Sequence, residues 1–256
     1  MRAPGVRALG LLTGRPPAAG AAVHALARPD RPGDRFRRAT RECLLALAAV
    51  DAMLEDGKAT REAIAGERTA LLYVTAAAYG ASNREFVERR GGVVHFAYTA
   101  PAVVPAEVAI EFGVTGAYGI LIGGAPATLR AIEQAGRLLD AGTCDRALVL
   151  VVEIFEECAD LHAARRRYHR WPLVETAACL WLEPGAGELS FRSSRAGGRP
   201  GRAAGPERFA AAPLAELAEW LRGPAPEPVE LAGRWRGEEA RLRWTRVRSH
   251  ARESAA

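Results

Sequence analysis

The chain has 256 residues, of which 49% are hydrophobic and 25% are charged, and this composition is ordinary for a folded globular protein. Its length suffices for one large domain, or for a domain with a small appendage. The formal net charge is +5 with Lys58 as the only lysine, and in a chain so rich in Ala, Gly and Pro this arginine excess indicates a GC-rich genome more than a nucleic-acid surface.

Apolar patterning predicts strands and helices that alternate along the first 185 residues. Short, continuous apolar runs predict buried strands, and apolar residues at helical spacing predict helices. The predicted strands are residues 6–13, 68–77, 118–123, 145–155 and 175–185, and the predicted helices are 34–56, 82–90, 105–113 and 126–141. This order predicts an α/β protein with a mixed central sheet flanked by helices.

The character of the sequence changes after Gly185. Residues 192–208 are rich in Gly, Arg and Ser, and we predict a flexible linker over 186–212 between a domain of residues 1–185 and an appendage of residues 213–256. In the appendage, 213–223 has the pattern of an amphipathic helix, and 228–247 alternates like a hairpin that turns near Gly237 and Glu238. The last residues are predicted to be a disordered tail.

Cysteine usage and hydropathy favour a cytoplasmic protein. Cys43, Cys144, Cys158 and Cys179 include no CxxC pair, so free thiols in a reducing compartment fit better than disulfides. The apolar run near the N-terminus is cut short by Gly10, Gly14 and two prolines, which is unlike a secretory signal. No apolar run reaches the roughly 18 residues that a membrane helix needs.

One stretch has the pattern of a nucleophile elbow, a tight turn between a strand and a helix that exposes a reactive side chain. Residues 119–132 read GILIGGAPATLRAI, and the turn itself consists of Gly123, Gly124, Ala125 and Pro126. None of these four residues carries a nucleophile. The sequence therefore predicts a geometry that usually presents a nucleophile, without the nucleophile itself.

Around this turn, residues 98–153 resemble the N-terminal half of a beta-ketoacyl synthase, a family with the thiolase-like fold. The resemblance rests on a Pro-containing loop, a helix reading AIEFG, the elbow, a helix ending in LLDAG and the strand RALVLVVE, and it covers about residues 35–184. It implies that Ala125 stands where the family has its acyl-accepting cysteine. The family's catalytic histidines belong to a second half whose HGT-like and NHxF-like motifs this sequence does not contain.

The resemblance implies a catalytically inactive partner of an active ketosynthase. Relatives with this layout include small proteins that resemble half of a ketosynthase and are similar to chain length factors. They accompany ketosynthases in aryl polyene and related type II polyketide or fatty-acid synthesis. Family members pair through the strand before the elbow, which here implies Tyr118, Ile120 and Ile122. The nearby loop with Phe96, Tyr98 and Pro101 is expected to approach the partner. The resemblance implies no cofactor and no metal.

An arginine cluster follows the predicted fourth strand, residues 145–155. Arg165, Arg166, Arg167 and Arg170 lie next to Tyr168 and Trp171, and a solvated arginine-rich helix is the simplest interpretation. Among functional interpretations, contact with an acidic acyl carrier protein agrees best with the family resemblance, and phosphopantetheine and RNA are the other candidate ligands.

Two other functions remain open at this point. Cys158 and His162 are four residues apart on one predicted helix face, so an enzyme with a relocated nucleophile is an alternative. A metal site built from these residues and His169 would need further ligands that the sequence does not offer. The arginine excess leaves a nucleic-acid-binding protein as the second alternative.

Overall fold

A seven-stranded mixed sheet forms the centre of the protein. The computed structural model describes residues 1–15, 23–76, 80–89, 96–155, 173–195, 207–223, 227–245 and 247. The strands of the sheet are β1 (Arg2–Thr13), β3 (Thr69–Thr75), β4 (Tyr118–Ile122), β5 (Arg146–Glu153), β7 (Thr176–Arg195), β8 (Val229–Trp235) and β9 (Glu238–Trp244), while β2 (Val23–His24) and β6 (Leu173–Val174) form a separate parallel pair.

The helices flank this sheet. They are α1 (Arg41–Asp56), α2 (Gly80–Arg89), α3 (Val103–Phe112), α4 (Ala125–Asp140) and α5 (Ala212–Arg222), with short 3-10 turns at Asp34–Arg38, Arg61–Ala63 and Ala97–Thr99. The helix predicted over residues 34–56 is divided, because Thr40 has extended backbone and caps the N-terminus of α1. No helix in these described ranges combines the length and apolarity needed to cross a bilayer.

The strand order is β4-β3-β5-β7-β9-β8, with β1 also paired to β7. The pairs β4-β3 and β3-β5 are parallel, and every other pair in this sheet is antiparallel. All seven residues of β3 are buried, as expected for a strand covered on both faces. The predicted α/β class with a mixed sheet is confirmed.

Strand β7 corrects the predicted domain boundary. It continues through Pro184 and Gly185 to Arg195, so the part of the predicted linker that precedes residue 196 is a strand paired with β9. A side chain at Gly185 would place its Cβ 2.6 Å from the carbonyl oxygen of Ala3. The Pro-Gly pair therefore lies where the paired strand β1 comes very close to β7, at a register shift between Ala3 and Pro4, and it is not the end of the strand.

The helix and hairpin after residue 212 are not a separate appendage. The hairpin turns at Arg236 and Gly237, which both have positive φ, so the turn predicted near Gly237 is confirmed. Leu214 and Leu217 of α5 and Trp244 of β9 are buried in the same hydrophobic cluster as α4. The indole N–H of Trp244 donates to the carbonyl of Pro4 at 2.9 Å. Residues 248–256, predicted as a disordered tail, lie outside the described residues.

A second hydrophobic cluster fills the opposite face of the sheet, where α1 and α3 pack on β3, β5 and β7. At the edge of this cluster, the fully buried carboxylate of Glu175 forms an ion pair with Arg41. It also accepts hydrogen bonds from the backbone N–H groups of Leu26 at 2.7 Å and Phe155 at 2.8 Å. One carboxylate thus joins three segments that are distant in sequence.

We predict that Glu175→Ala lowers the free energy of unfolding by about 3–5 kcal/mol, because it removes the buried carboxylate that pairs with Arg41 and binds two backbone N–H groups. Urea denaturation measures this change. The matched control is Asp145→Ala, which breaks an exposed ion pair with Arg68 whose atoms lie 2.6 Å apart, and which we expect to have a far smaller effect. Equal losses from the two variants would contradict this interpretation of Glu175.

Candidate functional site

The elbow connects the edge strand β4 to α4. The N–H of Gly123 donates to the carbonyl of Thr75 at 2.9 Å, which fixes the turn against the end of β3. Helix α4 then begins at Ala125, with Pro126 in its first turn. The side chain at the nucleophile position is therefore a methyl group, and Ala125 is completely buried.

The first backbone donor of α4 is bound within the chain. The N–H of Ala125 donates to the carbonyl of Arg208 at 2.9 Å. Pro126 has no N–H, so it adds no donor at this turn. In an acyl-transfer enzyme such N–H groups stabilise the oxyanion of the tetrahedral intermediate. Here the donor of Ala125 is already occupied by a carbonyl oxygen.

The segment that supplies this carbonyl is Glu207–Ala211, which we call the capping segment. The N–H of Arg208 donates to the carbonyl of Arg234 in β8 at 2.9 Å. The hydroxyl of Thr128 in α4 donates to the carbonyl of Ala210 at 2.6 Å. The ring of Phe209 packs between the rings of Phe155 and Trp235, at centroid distances of 4.7 and 5.0 Å. The capping segment thus lies between α4 and β8.

A buried carboxylate fixes the capping segment from the other side. Glu153, at the end of β5, is fully buried. Its Oε1 accepts hydrogen bonds from the backbone N–H of Ala76 at 2.8 Å and of Ala210 at 3.2 Å. Because Ala76 directly follows β3, this single side chain ties the carboxyl ends of two central strands to the capping segment.

Two glycines allow the close approach of these elements. A Cβ at Gly233 in β8 would lie 2.4 Å from the Cβ of Ala125. A Cβ at Gly124 would lie 2.5 Å from both the carbonyl oxygen of Arg208 and the ring of Trp235. Sequence reasoning missed Glu153, the capping segment and Gly233. A glycine inside a strand often marks the close approach of another backbone segment. Gly233 therefore offered the one sequence signal of this contact.

An open cavity of about 460 Å³ lies outside this closed turn. Its lining includes Ile122, Gly123, Arg195, Trp235 and Arg236. The predicted elbow residues therefore meet the C-terminal hairpin at the surface of the protein, beside the exposed end of β4.

The predicted pairing strand β4 lies at the edge of the sheet and is hydrogen-bonded only to β3 among the described strands. The carbonyl of Ala117 and the N–H of Gly123 both face β3. Since backbone groups alternate in direction along a strand, those of Tyr118, Ile120 and Ile122 face the open edge. The side chains of Tyr118 and Ile122 are about half exposed, at 49% and 50%.

The predicted loop residues lie beside this strand. The hydroxyl of Tyr118 donates to the carbonyl of Ala102 at 3.3 Å, which joins the segment after Phe96 to the start of β4. Phe96 is 63% exposed, and its ring packs against Phe86 at a centroid distance of 5.8 Å. Tyr98 and Pro101 are partly buried in the same segment.

The other predicted site residues fall outside the described part of the chain. They are the candidate nucleophile pair Cys158 and His162 and the arginine cluster Arg165, Arg166, Arg167 and Arg170. Within the described residues, no group of three or more His, Cys, Asp or Glu side chains has the arrangement of a metal site.

The sequence of the chain matches a known protein family. The chain matches the family described as beta-ketoacyl synthase, N-terminal domain, over residues 30–167, which is more than half of its length. No curated protein matches its sequence.

Solved structures share its fold, which is thiolase-like. The ketosynthase ApeO in complex with its chain length factor ApeC from Xenorhabdus doucetiae matches with a TM-score of 0.61 and 17% identity, over 89% of this chain and 87% of that chain. The ishigamide ketosynthase/chain length factor matches with a TM-score of 0.65 and 16% identity, over 85% and 83% of the two chains. A type II polyketide acyl-carrier protein in complex with its ketosynthase matches with a TM-score of 0.56 and 15% identity, over 77% and 70%.

The contact between Ala125 and Gly233 predicts a coupled pair of substitutions. Gly233→Ala forces its new Cβ against Ala125, and we expect a loss of about 1–3 kcal/mol in the free energy of unfolding. Ala125→Gly in the same chain removes the opposing Cβ, so part of that loss should be recovered. A double-mutant cycle by urea denaturation should give an interaction free energy of roughly 0.5–3 kcal/mol. If the free-energy changes of the two single substitutions simply add up in the double variant, the contact between Ala125 and Gly233 is contradicted.

The described cysteines are predicted to be unreactive in the native protein. Burial raises the pKa of Cys43 to about 12 and also raises the pKa of Cys144 and Cys179. A raised pKa keeps each thiol protonated at about pH 8, and the thiolate is the reactive form. In a Cys158→Ser variant we expect no reaction with Ellman's reagent before unfolding and reaction of all three thiols after it. A fast native reaction would contradict this prediction.

Proposed function

The chain belongs to the beta-ketoacyl synthase N-terminal domain family, and on that premise we propose that it is a catalytically inactive member that pairs with an active ketosynthase. Within that pair it influences the length of the acyl or polyketide chain. The proposed pathway is fatty-acid or polyketide synthesis, for example of aryl polyenes. The observation that carries the proposal is the buried methyl group of Ala125 at the elbow.

The methyl group of Ala125 cannot act as a nucleophile. Covalent acyl transfer needs a nucleophile that carries the acyl group between two half-reactions. Neither Gly123, Gly124, Ala125 nor Pro126 can do this. The backbone donor of Ala125 is also bound to Arg208, so the position offers neither the bond nor the charge stabilisation that the reaction requires. The elbow retains its geometry and lacks both chemical functions.

The open edge of strand β4 supports the proposal of a partner. An unpaired edge exposes a row of N–H and C=O groups that can hydrogen-bond to another strand. In β4 these groups belong to Tyr118, Ile120 and Ile122, and no backbone partner for them is present among the described residues. The side chains next to this edge are apolar and partly exposed. Addition of a partner strand would satisfy the backbone groups and cover the side chains together.

Exposed apolar side chains extend this surface beyond the strand. Phe96 is 63% exposed and is linked to β4 through the segment that ends at Ala102, which accepts the Tyr118 hydrogen bond. Exposed apolar groups that are contiguous usually mark an interface with another protein. We therefore include Phe96, Tyr98 and Pro101 in the proposed interface with the ketosynthase.

The composition of the similar structures supports this choice of partner. Two of them describe a ketosynthase together with a chain length factor, and a third describes a ketosynthase with its acyl-carrier protein. By analogy, the proposed partner is the ketosynthase encoded nearest to this chain, and the proposed additional contact is an acyl carrier protein at Arg165, Arg166, Arg167 and Arg170.

Co-expression with that ketosynthase tests the proposal. We expect the two chains to purify together and to give the mass of a one-to-one complex by size-exclusion chromatography with light scattering. The complex should also make products of a different length distribution from those of the ketosynthase alone. A chain that remains separate from the ketosynthase at micromolar concentrations would contradict the proposal.

Substitution of Ile120 tests the proposed edge. Ile120→Pro removes an N–H that faces away from β3, so the bonds between β3 and β4 are kept while a partner strand loses its donor. We expect the affinity for the ketosynthase to fall at least about tenfold, as the loss of a buried hydrogen bond and a steric conflict require. Isothermal titration calorimetry or biolayer interferometry measures it.

The matched control is Ile120→Ala, which shortens the same side chain and keeps the N–H. It should weaken binding less than Ile120→Pro does. Val174→Asp places a charge on an exposed aliphatic residue of β6, remote from β4 in the sheet order, and should leave the affinity unchanged. If Ile120→Pro binds as well as Ile120→Ala, β4 is not the pairing strand.

A further inference from the structure

We propose that the capping segment Glu207–Ala211 permanently seals the elbow from within, so that no acyl group can reach position 125 of this subunit and restoring a cysteine there would not restore an acylation site. The consequence for the path of the acyl chain rests on the proposed function. The seal itself is a property of this chain alone.

The first step concerns the backbone donor. At the N-terminus of a helix the first N–H groups have no partner within the helix, and this makes them available to an anion. The N–H of Ala125 instead donates to the carbonyl of Arg208 at 2.9 Å. That carbonyl oxygen carries a partial negative charge. It would repel a thiolate or an oxyanion at the same place, whereas the family chemistry needs the opposite polarity.

The side chain at position 125 has little space around it. Ala125 is fully buried, and its Cβ lies so close to β8 that only glycine fits at position 233. A sulfur atom on that Cβ would meet the backbone of β8 or the capping segment. An acyl group attached to the sulfur has still less room, since Trp235 and the Arg208 carbonyl already occupy the space beside Gly124.

The third step concerns the anchoring of the seal. The capping segment is held by backbone bonds to α4 and β8 and by the hydroxyl of Thr128. The buried carboxylate of Glu153 binds the N–H of Ala210, and the guanidinium of Arg208 forms an ion pair with Glu216 of α5. These contacts come from four different elements. Opening the elbow would break them together, which distinguishes the segment from a mobile lid.

A consequence follows for chain length control. With the elbow sealed, the acyl chain of the partner ketosynthase has no route through position 125 of this subunit. Any influence on chain length must therefore come from surfaces outside the seal, such as the face of β4 and the segment from Phe96 to Pro101.

Thiol labelling of a restored cysteine tests the seal. Ala125→Cys is made in a Cys158→Ser background and is labelled with iodoacetamide under native conditions, both in the free chain and in the purified complex. The matched reference is Ala106→Cys, because Ala106 is also an alanine near the start of a helix but is exposed. We expect Cys at position 125 to react at least about 100-fold more slowly than Cys at position 106, as burial without a stabilising charge requires. Equal rates would overturn the proposal.

Removal of the rings that hold the capping segment should open the elbow. Adding Phe209→Ala and Trp235→Ala to the Ala125→Cys variant should raise its labelling rate at least about tenfold, since the segment loses its packing against β8. Circular dichroism verifies that this variant keeps its fold. An unchanged rate in a folded variant would show that another element closes the position and would overturn the role of the capping segment.

Hydrogen exchange provides a measurement on the unaltered chain. The amide of residue 125 should be protected at least about 1,000-fold relative to an unstructured peptide, because its N–H is bonded to Arg208. In an open elbow a first-turn amide lacks this partner and exchanges rapidly. Rapid exchange would overturn the seal. Because this result needs no partner, it remains separate from a failure of the chain to bind the ketosynthase.

Discussion

The structure depends on strand β7, which belongs to two sheet regions at once. Its first half pairs with β1 and β5, and its second half pairs with β9. Helix α4 packs against the central strands on one side and against β8 and β9 on the other. Since a helix enclosed in this way must bury more than a single stripe, its buried positions include three consecutive residues, Ala131, Ile132 and Glu133. The closed elbow follows from this enclosure, because α4 begins where the two regions converge.

Local sequence signals predicted most of the elements and failed where a long-range contact decides the outcome. The continuous apolar runs of β3 and β5 are sufficient evidence for buried parallel strands, and the Arg236-Gly237 turn follows from hairpin chemistry. The Pro-Gly pair at residues 184–185 is a turn signal by the same rules. In the folded chain it marks the close approach of the paired strand β1, where Ala3 lies 182 residues from Gly185 in sequence, and no local pattern predicts that approach.

In the candidate site, too, local sequence signals predicted the elbow and missed the contacts that distant segments make with it. The elbow residues and the strand before it were predicted from their own sequence and from the family resemblance, and their backbone geometry agrees with that prediction. The carbonyl of Arg208, which binds the elbow, comes from a segment whose composition suggested only a linker. Backbone groups carry no residue-type signal, so a seal made by a carbonyl oxygen is not visible in the sequence. The hydrogen bonds to the buried carboxylate of Glu153 likewise come from Ala76 and Ala210, which lie in distant parts of the chain.

The edges of the sheet differ in a way that bears on the partner. The outer edge of β1 is occupied, since the N–H of Val6 donates to the carbonyl of Val247 and the N–H of Leu9 donates to Asp56. The outer edge of β8 is occupied by the backbone and side chain of Arg208, which bond to the carbonyls of Arg234 and Ala232. Proteins commonly protect their edge strands in this manner, because open edges associate. Strand β4 has no such protection among the described residues. Arg208 thus occupies the edge of β8 and the backbone donor of the elbow, and Val247 and Asp56 occupy the edge of β1, whereas β4 stays open among the described residues. This asymmetry supports the proposed interface at β4.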